Sequence, residues 1–177
     1  MKKSLIILVI SLFIIQCTNE NDTKIAKNQL GKLNKDTKIE DLDKIFKNDS
    51  LVKLPEDGDI FYEYKIYNKQ GDHLLTIKPK FKGDTLTGIE NIQIFDAKYK
   101  TEKGISTAST FKDVSNHYSI NKIEPSFTSA IVFLDELNAT VALDKKDLKL
   151  AEFDMNKIDK GQVPDLAKIK FITLWFD

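Results

Sequence analysis

Two segments of this chain repeat one pattern, and the repetition limits the folds open to it. The first, starting near Gly31, reads Thr37-Lys38-Ile39-Glu40-Asp41-Leu42-Asp43-Lys44-Ile45-Phe46. The second, starting near Gly104, reads Ser109-Thr110-Phe111-Lys112-Asp113-Val114-Ser115-Asn116-His117-Tyr118. Ile39, Leu42 and Phe46 align with Phe111, Val114 and Tyr118 at an offset of 72 residues. The i, i+3, i+7 spacing places each trio on one face of a short helix. Thr37 and Glu40 have the form of a capping box. Ser109, Thr110 and Asp113 are a looser start signal of the same kind.

Strand-like runs follow each helix. Ile60 to Tyr67 is aromatic and β-branched, with Ile60, Tyr62, Tyr64 and Ile66 on one face. Gln70-Gly71-Asp72 turns the chain into Leu74–Lys78, and a third run covers Leu86–Phe95. The second half offers Ile120–Glu124, Phe127–Leu134 and Ala139–Leu143. Asp144 to Ile158 is charged and predicts a short helix begun by Asp144 or Asp147. The chain closes on a strand whose Ile169, Phe171, Thr173 and Trp175 share a face. Short connections favour antiparallel pairing. The expected fold is α+β: a tandem helix-plus-antiparallel-strands repeat, with both helices packed on one side of a curved antiparallel sheet. The single domain is placed at 36–177, with repeats 36–99 and 104–177.

The N-terminus reads as an address. Lys2 and Lys3 precede an apolar run, Leu5 to Ile15, broken only by Ser11. That is a signal-peptide pattern. Eleven helical residues rise about 16 Å, roughly half a hydrocarbon core. Cys17, the one cysteine of the chain, stands directly after the run. Phe13-Ile14-Ile15-Gln16-Cys17 resembles a bacterial lipobox, with Gln16 where Gly, Ala or Ser is usual. The expectation is a signal peptide at 1–16, cleavage before Cys17, and acylation of its thiol with diacylglycerol and palmitate. Acyl chains gain about 0.8 kcal/mol per buried methylene, so two or three make a stable anchor. Processing leaves 25 lysines against 27 acidic residues, a net charge of −2. No aspartate follows Cys17 directly, which points to the outer membrane of a Gram-negative cell and leaves its face open. Residues 17–35 are polar and read as a flexible tether, with one helical turn around Ile25–Leu30.

Composition removes other classes. All 27 cations are lysines, and arginine is absent. Nucleic-acid readers need a basic face and favour arginine forks, so no nucleic-acid partner is expected. One cysteine makes no internal disulfide and no thiolate cluster, and His73 and His117 lie far apart. No phosphate loop, nucleophile elbow or kinase signature occurs. No cofactor, metal or catalytic residue is assigned.

A family resemblance rests on three stretches. They are Ile89-Glu90-Asn91-Ile92-Gln93-Ile94, then Tyr99 to Ser106 with Phe111-Lys112-Asp113-Val114, and Ala167-Lys168-Ile169-Lys170-Phe171-Ile172. Over residues 50–177 the chain resembles the RpoE-regulated lipoprotein family, which implies an envelope lipoprotein of α+β fold and transfers no catalytic residue. The Gly-x-Ser/Thr-x-x-Asp-Val theme also resembles small outer-membrane assembly lipoproteins and the repeat of β-lactamase-inhibitor-like domains. Both are protein-binding modules.

Several residues invite chemistry. His117 falls in line with Phe111 and Val114 and reads as a partly buried structural histidine, with a general base beside Asp113 as the other reading. His73 sits at a hairpin and is expected to be exposed. Glu56-Asp57-Gly58-Asp59 gathers carboxylates but lacks the EF-hand spacing, so it reads as a polar turn. Ser50 in Asp49-Ser50-Leu51 and Thr85 in Asp84-Thr85-Leu86 resemble an O-glycosylation signal of exported proteins. Asn138-Ala139-Thr140 has the form of an N-glycosylation acceptor and reads as silent at a strand start. Phe61, Tyr62, Tyr64 and Tyr67 read as core on one face, with an exposed surface for a protein or glycan as the alternative. The expected function is that of a lipid-anchored envelope lipoprotein binding another envelope component, protein or glycan, without catalysis. The alternatives are a carboxylate-dependent glycan-processing or hydrolytic enzyme, and a structural or stress-response lipoprotein without specific ligand.

Overall fold

One row of aliphatic side chains runs through the structure from edge to edge. Leu51, Ile66, Leu75, Ile94, Ile172, Val141, Val132 and Ile123 stand side by side on eight neighbouring strands. The computed structural model of the chain describes residues 20–56, 61–151 and 153–176. Its elements are β1 (Lys24–Ala26), β2 (Gln29–Leu30), β3 (Leu33–Asn34), α1 (Leu42–Ile45), β4 (Ser50–Glu56), β5 (Phe61–Tyr67), β6 (His73–Pro79), β7 (Ile89–Ile94) and β8 (Lys100–Thr101). Then come α2 (Phe111–His117), β9 (Ile123–Pro125), β10 (Ser129–Leu134), β11 (Ala139–Asp144) and β12 (Ile169–Trp175). The large sheet is antiparallel, open, and ordered β4-β5-β6-β7-β12-β11-β10-β9. A small sheet is ordered β3-β2-β1-β8. The architecture is mixed α+β, mostly sheet with a few short helices, and the described strands close no barrel.

The strand order mirrors itself about the β7–β12 pair. There Ile94 faces Ile172, Gln93 faces Thr173 and Ile92 faces Leu174. Matching contacts occur on either side of that pair. Ile39 N–H donates to Thr87 O (3.1 Å) and Glu40 N–H to Thr85 O (2.9 Å). In the other half Phe111 N–H donates to Ala167 O and Lys112 N–H to Asp165 O, both at 2.9 Å. Each central strand carries one extra, exposed residue near its start: Glu90 between Ile89 and Asn91, and Lys170 between Ile169 and Phe171. Such bulges bend a strand and shift its side-chain alternation by one.

Five expectations need correction. The segment read as a flexible tether is folded from Lys24 onward, and no helical turn spans Ile25–Leu30. Ile25, Leu30 and Leu33 are buried in the core and their short strands form the small sheet. The capping box at Thr37 and Glu40 does not form. Thr37 Oγ1 instead accepts from Asn34 N–H (3.0 Å), and α1 has no side-chain cap. The box forms at α2, where Thr110 and Asp113 cap each other. Between Asp144 and Ile158 the described residues make turns, because the buried Lys145 draws the chain inward; its ammonium donates to the carbonyls of Phe127 and Asp154. The Lys170 bulge removes Ile169 from the face of Phe171, Thr173 and Trp175, and Ile169 is buried. Finally, β4 forms where no strand was expected. It is an edge strand, which tolerates Pro55 and the exposed Lys53. The signal peptide at 1–16 and Cys17 lie outside the described residues.

Gly31 is what closes the N-terminal segment onto itself. Its φ is +55°, and a Cβ there would sit 2.2 Å from the Asp22 carbonyl oxygen. Gly31→Ala is therefore expected to destabilise the protein by about 1–3 kcal/mol, read as a lowered denaturation midpoint. A tether would show no change.

Candidate functional site

Register alone sorts the side chains of the large sheet into two faces. The aliphatic row, apart from the partly buried Leu51 at its edge, and the next one on the same face, Tyr64, Ile77, Ile92, Leu174, Ala139 and Leu134, are buried. They share one core with Leu42 of α1, with Phe111 and Val114 of α2, and with the small sheet. The rows between them face the other way. One runs Val52, Lys65, Thr76, Gln93, Thr173, Thr140, Phe133. The next runs Tyr67, His73, Phe95, Phe171, Ala142, Ile131.

Tyr67, Phe95, Phe171, Ile131 and Phe133 are half-buried, yet none belongs to the core or packs against it. This is the open face of the sheet. Its rings form a continuous stripe: Tyr67 to His73 at 5.1 Å, His73 to Phe95 at 4.2 Å and stacked, Phe95 to Phe171 at 5.6 Å. Beside it lies a polar row of threonines and a glutamine, with Thr76, Thr140 and Thr173 sunk between longer neighbours. Glu63 and Lys78 form an ion pair on the same face (2.9 Å), and the Lys122 ammonium lies 4.7 Å from the centre of the Phe133 ring. Aromatic surface for stacking next to short hydrogen-bonding side chains suits an extended polar partner with apolar faces.

His73 belongs to this stripe, which corrects its expected exposure. A bulge opposite Tyr67 admits Leu74 as an extra residue and turns the imidazole onto the open face. Its Nε2 donates to the Leu75 carbonyl (3.1 Å), with Thr76 Oγ1 at 3.0 Å. Burial holds the ring below its ordinary value of 6.5, and the Lys65 charge acts in the same direction.

The other sequence candidates are dispersed. His117 is exposed, against expectation, with Nδ1 2.8 Å from the Asp113 carbonyl; it lies off the face that Phe111, Val114 and Tyr118 bury. Ser50 and Thr85 are exposed and far apart, Ser50 at the start of β4 and Thr85 in the β6–β7 loop. Asp57 and Asp59 lie outside the described residues. Asn138 takes a left-handed turn conformation (φ 52°) immediately before β11. Among the described residues no group of three or more His, Cys, Asp or Glu side chains could hold a metal ion.

A cleft of about 220 Å³ lies between the two sheets, bordered by Leu30, Phe46, Asp49, Leu75, Lys98 and Tyr99. Burial, reinforced by the Asp49 and Asp96 carboxylates, raises the Tyr99 hydroxyl far above its ordinary value, so it stays a neutral phenol. The sequence reading missed Phe95, Gln93 and Phe133 as surface residues. Their alternation with the buried Ile92, Ile94, Val132 and Leu134 was the available signal.

For His73 the pH dependence has a definite sign. The folded state binds its proton less readily than the unfolded state. The stability it contributes is complete above pH 6.5 and is lost as pH falls below that value. Denaturation midpoints across this window are expected to slope downward toward acid, and His73→Phe is expected to flatten that slope.

No family model matches the chain. No curated protein matches it either. Among solved structures it is similar to the uncharacterized protein yfeY from Escherichia coli, with a TM-score of 0.59 at 13% sequence identity. The similarity covers 88% of this chain and 100% of that one. At that identity the likeness is one of fold.

Proposed function

We propose that the chain is a lipoprotein of the outer membrane, acylated at Cys17, whose folded domain binds another envelope component, protein or glycan, without catalysis. The observation that carries the binding reading is the open face. A stripe of four rings lies outside the core, beside a polar row, across the middle of an eight-stranded sheet. Large ring surface left off a core favours partner binding.

Support for the anchor comes from the N-terminal pattern and from the short distance between Cys17 and the fold. Only Thr18 and Asn19 separate Cys17 from Glu20, where the described chain begins in a 3-10 turn. The resemblance to RpoE-regulated lipoproteins belongs to the same reading. Its stretches Ile89–Ile94 and Ala167–Ile172 supply β7 and the start of β12. The exposure of Ser50 and Thr85 supports them as glycosylation acceptors.

The tandem repeat is part of the proposal. One unit is α1 with β4–β7, the other α2 with β9–β12. The paired hydrogen bonds at Ile39 and Phe111, and the bulges at Glu90 and Lys170, support it. Joining two such units doubles the width of the open face, with Gln93 and Thr173 meeting at the seam.

Two experiments test this reading. Cys17→Ser is expected to abolish labelled-palmitate incorporation and to release the protein from the membrane fraction; unchanged labelling overturns the anchor. In affinity capture from solubilised envelope, the full chain is expected to retain a stoichiometric component. Gln93→Arg, at the centre of the open face, is expected to weaken that retention at least about tenfold with the denaturation midpoint unchanged. Equal retention by the variant overturns the face as the binding site.

A further inference from the structure

The turn between β9 and β10 and the long loop between β11 and β12 meet in an exposed apolar knob. Phe127, Phe153 and Met155 are 64, 66 and 55% exposed. The two phenyl rings stand 5.7 Å apart at a tilt of 57°.

The knob is tied together by hydrogen bonds. Phe153 N–H donates to the Phe127 carbonyl (2.8 Å), and Phe153 takes a positive φ of 66°. A bulky side chain adopts that conformation at a cost, so surrounding contacts must enforce it. The contacts are those of Lys145, whose side chain is fully buried and whose ammonium joins the Phe127 and Asp154 carbonyls from beneath. A buried ammonium spent on two carbonyls, beneath two rings left in water, fixes apolar surface outward.

The place of the knob in the fold indicates what covers it. It lies off the end of the sheet where Ser50, Tyr67 and His73 stand at one side and Ser129 and Asp144 at the other. The N-terminal stem reaches that same end, since Asp22 and Thr23 border the cleft shared with Asn48 and Asp49. Glu20 follows Cys17 by three residue steps, about 10 Å at full extension. An acylated Cys17 therefore holds this end of the sheet against the bilayer. From β5 to β10 is five strand spacings, about 25 Å.

We propose that Phe127, Phe153 and Met155 are a second membrane contact, a foot that enters the interfacial region of the phospholipid bilayer holding the Cys17 anchor. The proposal rests on that anchor. Phenyl rings and a methionine suit the boundary between headgroups and acyl chains. Lys146, Lys149 and Lys157 are offset by Asp147, Asp154 and Asp159 in the same loop, so the contact is apolar and insensitive to salt. With two points of contact, the domain stands with the sheet end down and the open face turned sideways, accessible to a partner.

Fluorescence in vesicles tests this with the full chain. The single tryptophan, Trp175, lies at the other end of the sheet, opposite Asn91. The chain is purified from membranes and reconstituted into vesicles of phosphatidylethanolamine and phosphatidylglycerol carrying brominated acyl chains. Trp175 is expected to keep its emission. Phe153→Trp in a Trp175→Phe background is expected to lose emission and shift to the blue, and so is Phe127→Trp in that background, which guards against misfolding of either variant. Phe81→Trp, in the β6–β7 loop at the far end, is the negative control. If the variants float with the vesicles and neither Phe127→Trp nor Phe153→Trp is quenched, the foot is overturned while the anchor stands. If the unaltered chain fails to float, the anchor falls and the foot with it.

Discussion

The pairing of β7 with β12 is the joint on which the structure depends. Among the described residues it is the only place where strands from the two halves of the large sheet pair. Ile92 and Ile94 meet Leu174 and Ile172 there, all of them buried. Each such aliphatic side chain contributes about 1.5–3 kcal/mol on burial. Without the joint there would be two meanders of four strands, each with an apolar edge exposed to pairing with other chains. With it, the exposed edges fall on β4 and β9, where Pro55, Lys53 and the short length of β9 discourage further pairing.

From that joint the division of labour between the faces follows. Strict alternation across antiparallel strands puts every second side chain on the same side. Two bulges, at Glu90 and Lys170, reset the alternation so that Ile89 and Ile169 reach the core while Asn91 and Phe171 do not. A third, at Leu74, brings His73 into the ring stripe. The aromatic surface is thus set as much by three inserted residues as by the aromatic residues themselves.

Sequence reading reached the elements that carry a period and missed those that do not. The trios Ile39, Leu42, Phe46 and Phe111, Val114, Tyr118 placed both helical segments, because the apolar spacing is unambiguous. The strand cores around Ile92, Val132, Val141 and Ile172 were legible from β-branched runs. The small sheet was not: Lys24-Ile25-Ala26 and Gln29-Leu30 each offer a single large apolar residue among polar neighbours, and only tertiary burial shows what it does. Nor was the cap of α1, since Thr37 finds a nearer partner in Asn34, a competition that a local motif does not contain. The open face was hidden for another reason. Whether His73 or Phe171 lies inside or outside depends on register, and register depends on bulges that leave no mark in composition.

The two halves share their frame and differ in what they attach to it. The β6–β7 connection spans residues 80–88, while the β11–β12 connection spans 145–168. The longer loop needs internal support, and Lys145 supplies it by donating to the Asp154 carbonyl and to the Phe127 carbonyl, which also accepts from Phe153 N–H. A lysine at the end of β11 is costly to bury unless its three donors find acceptors. Its burial therefore obliges the Phe127 and Asp154 carbonyls to point inward, and the rings of Phe127 and Phe153 are left on the outside. Duplication of a four-stranded unit, as proposed, yields a broad and nearly symmetric face; the unequal loops then make the two ends of the sheet different. The anchored binding module proposed for this chain would use that difference, one end meeting the membrane while the face remains free for a partner.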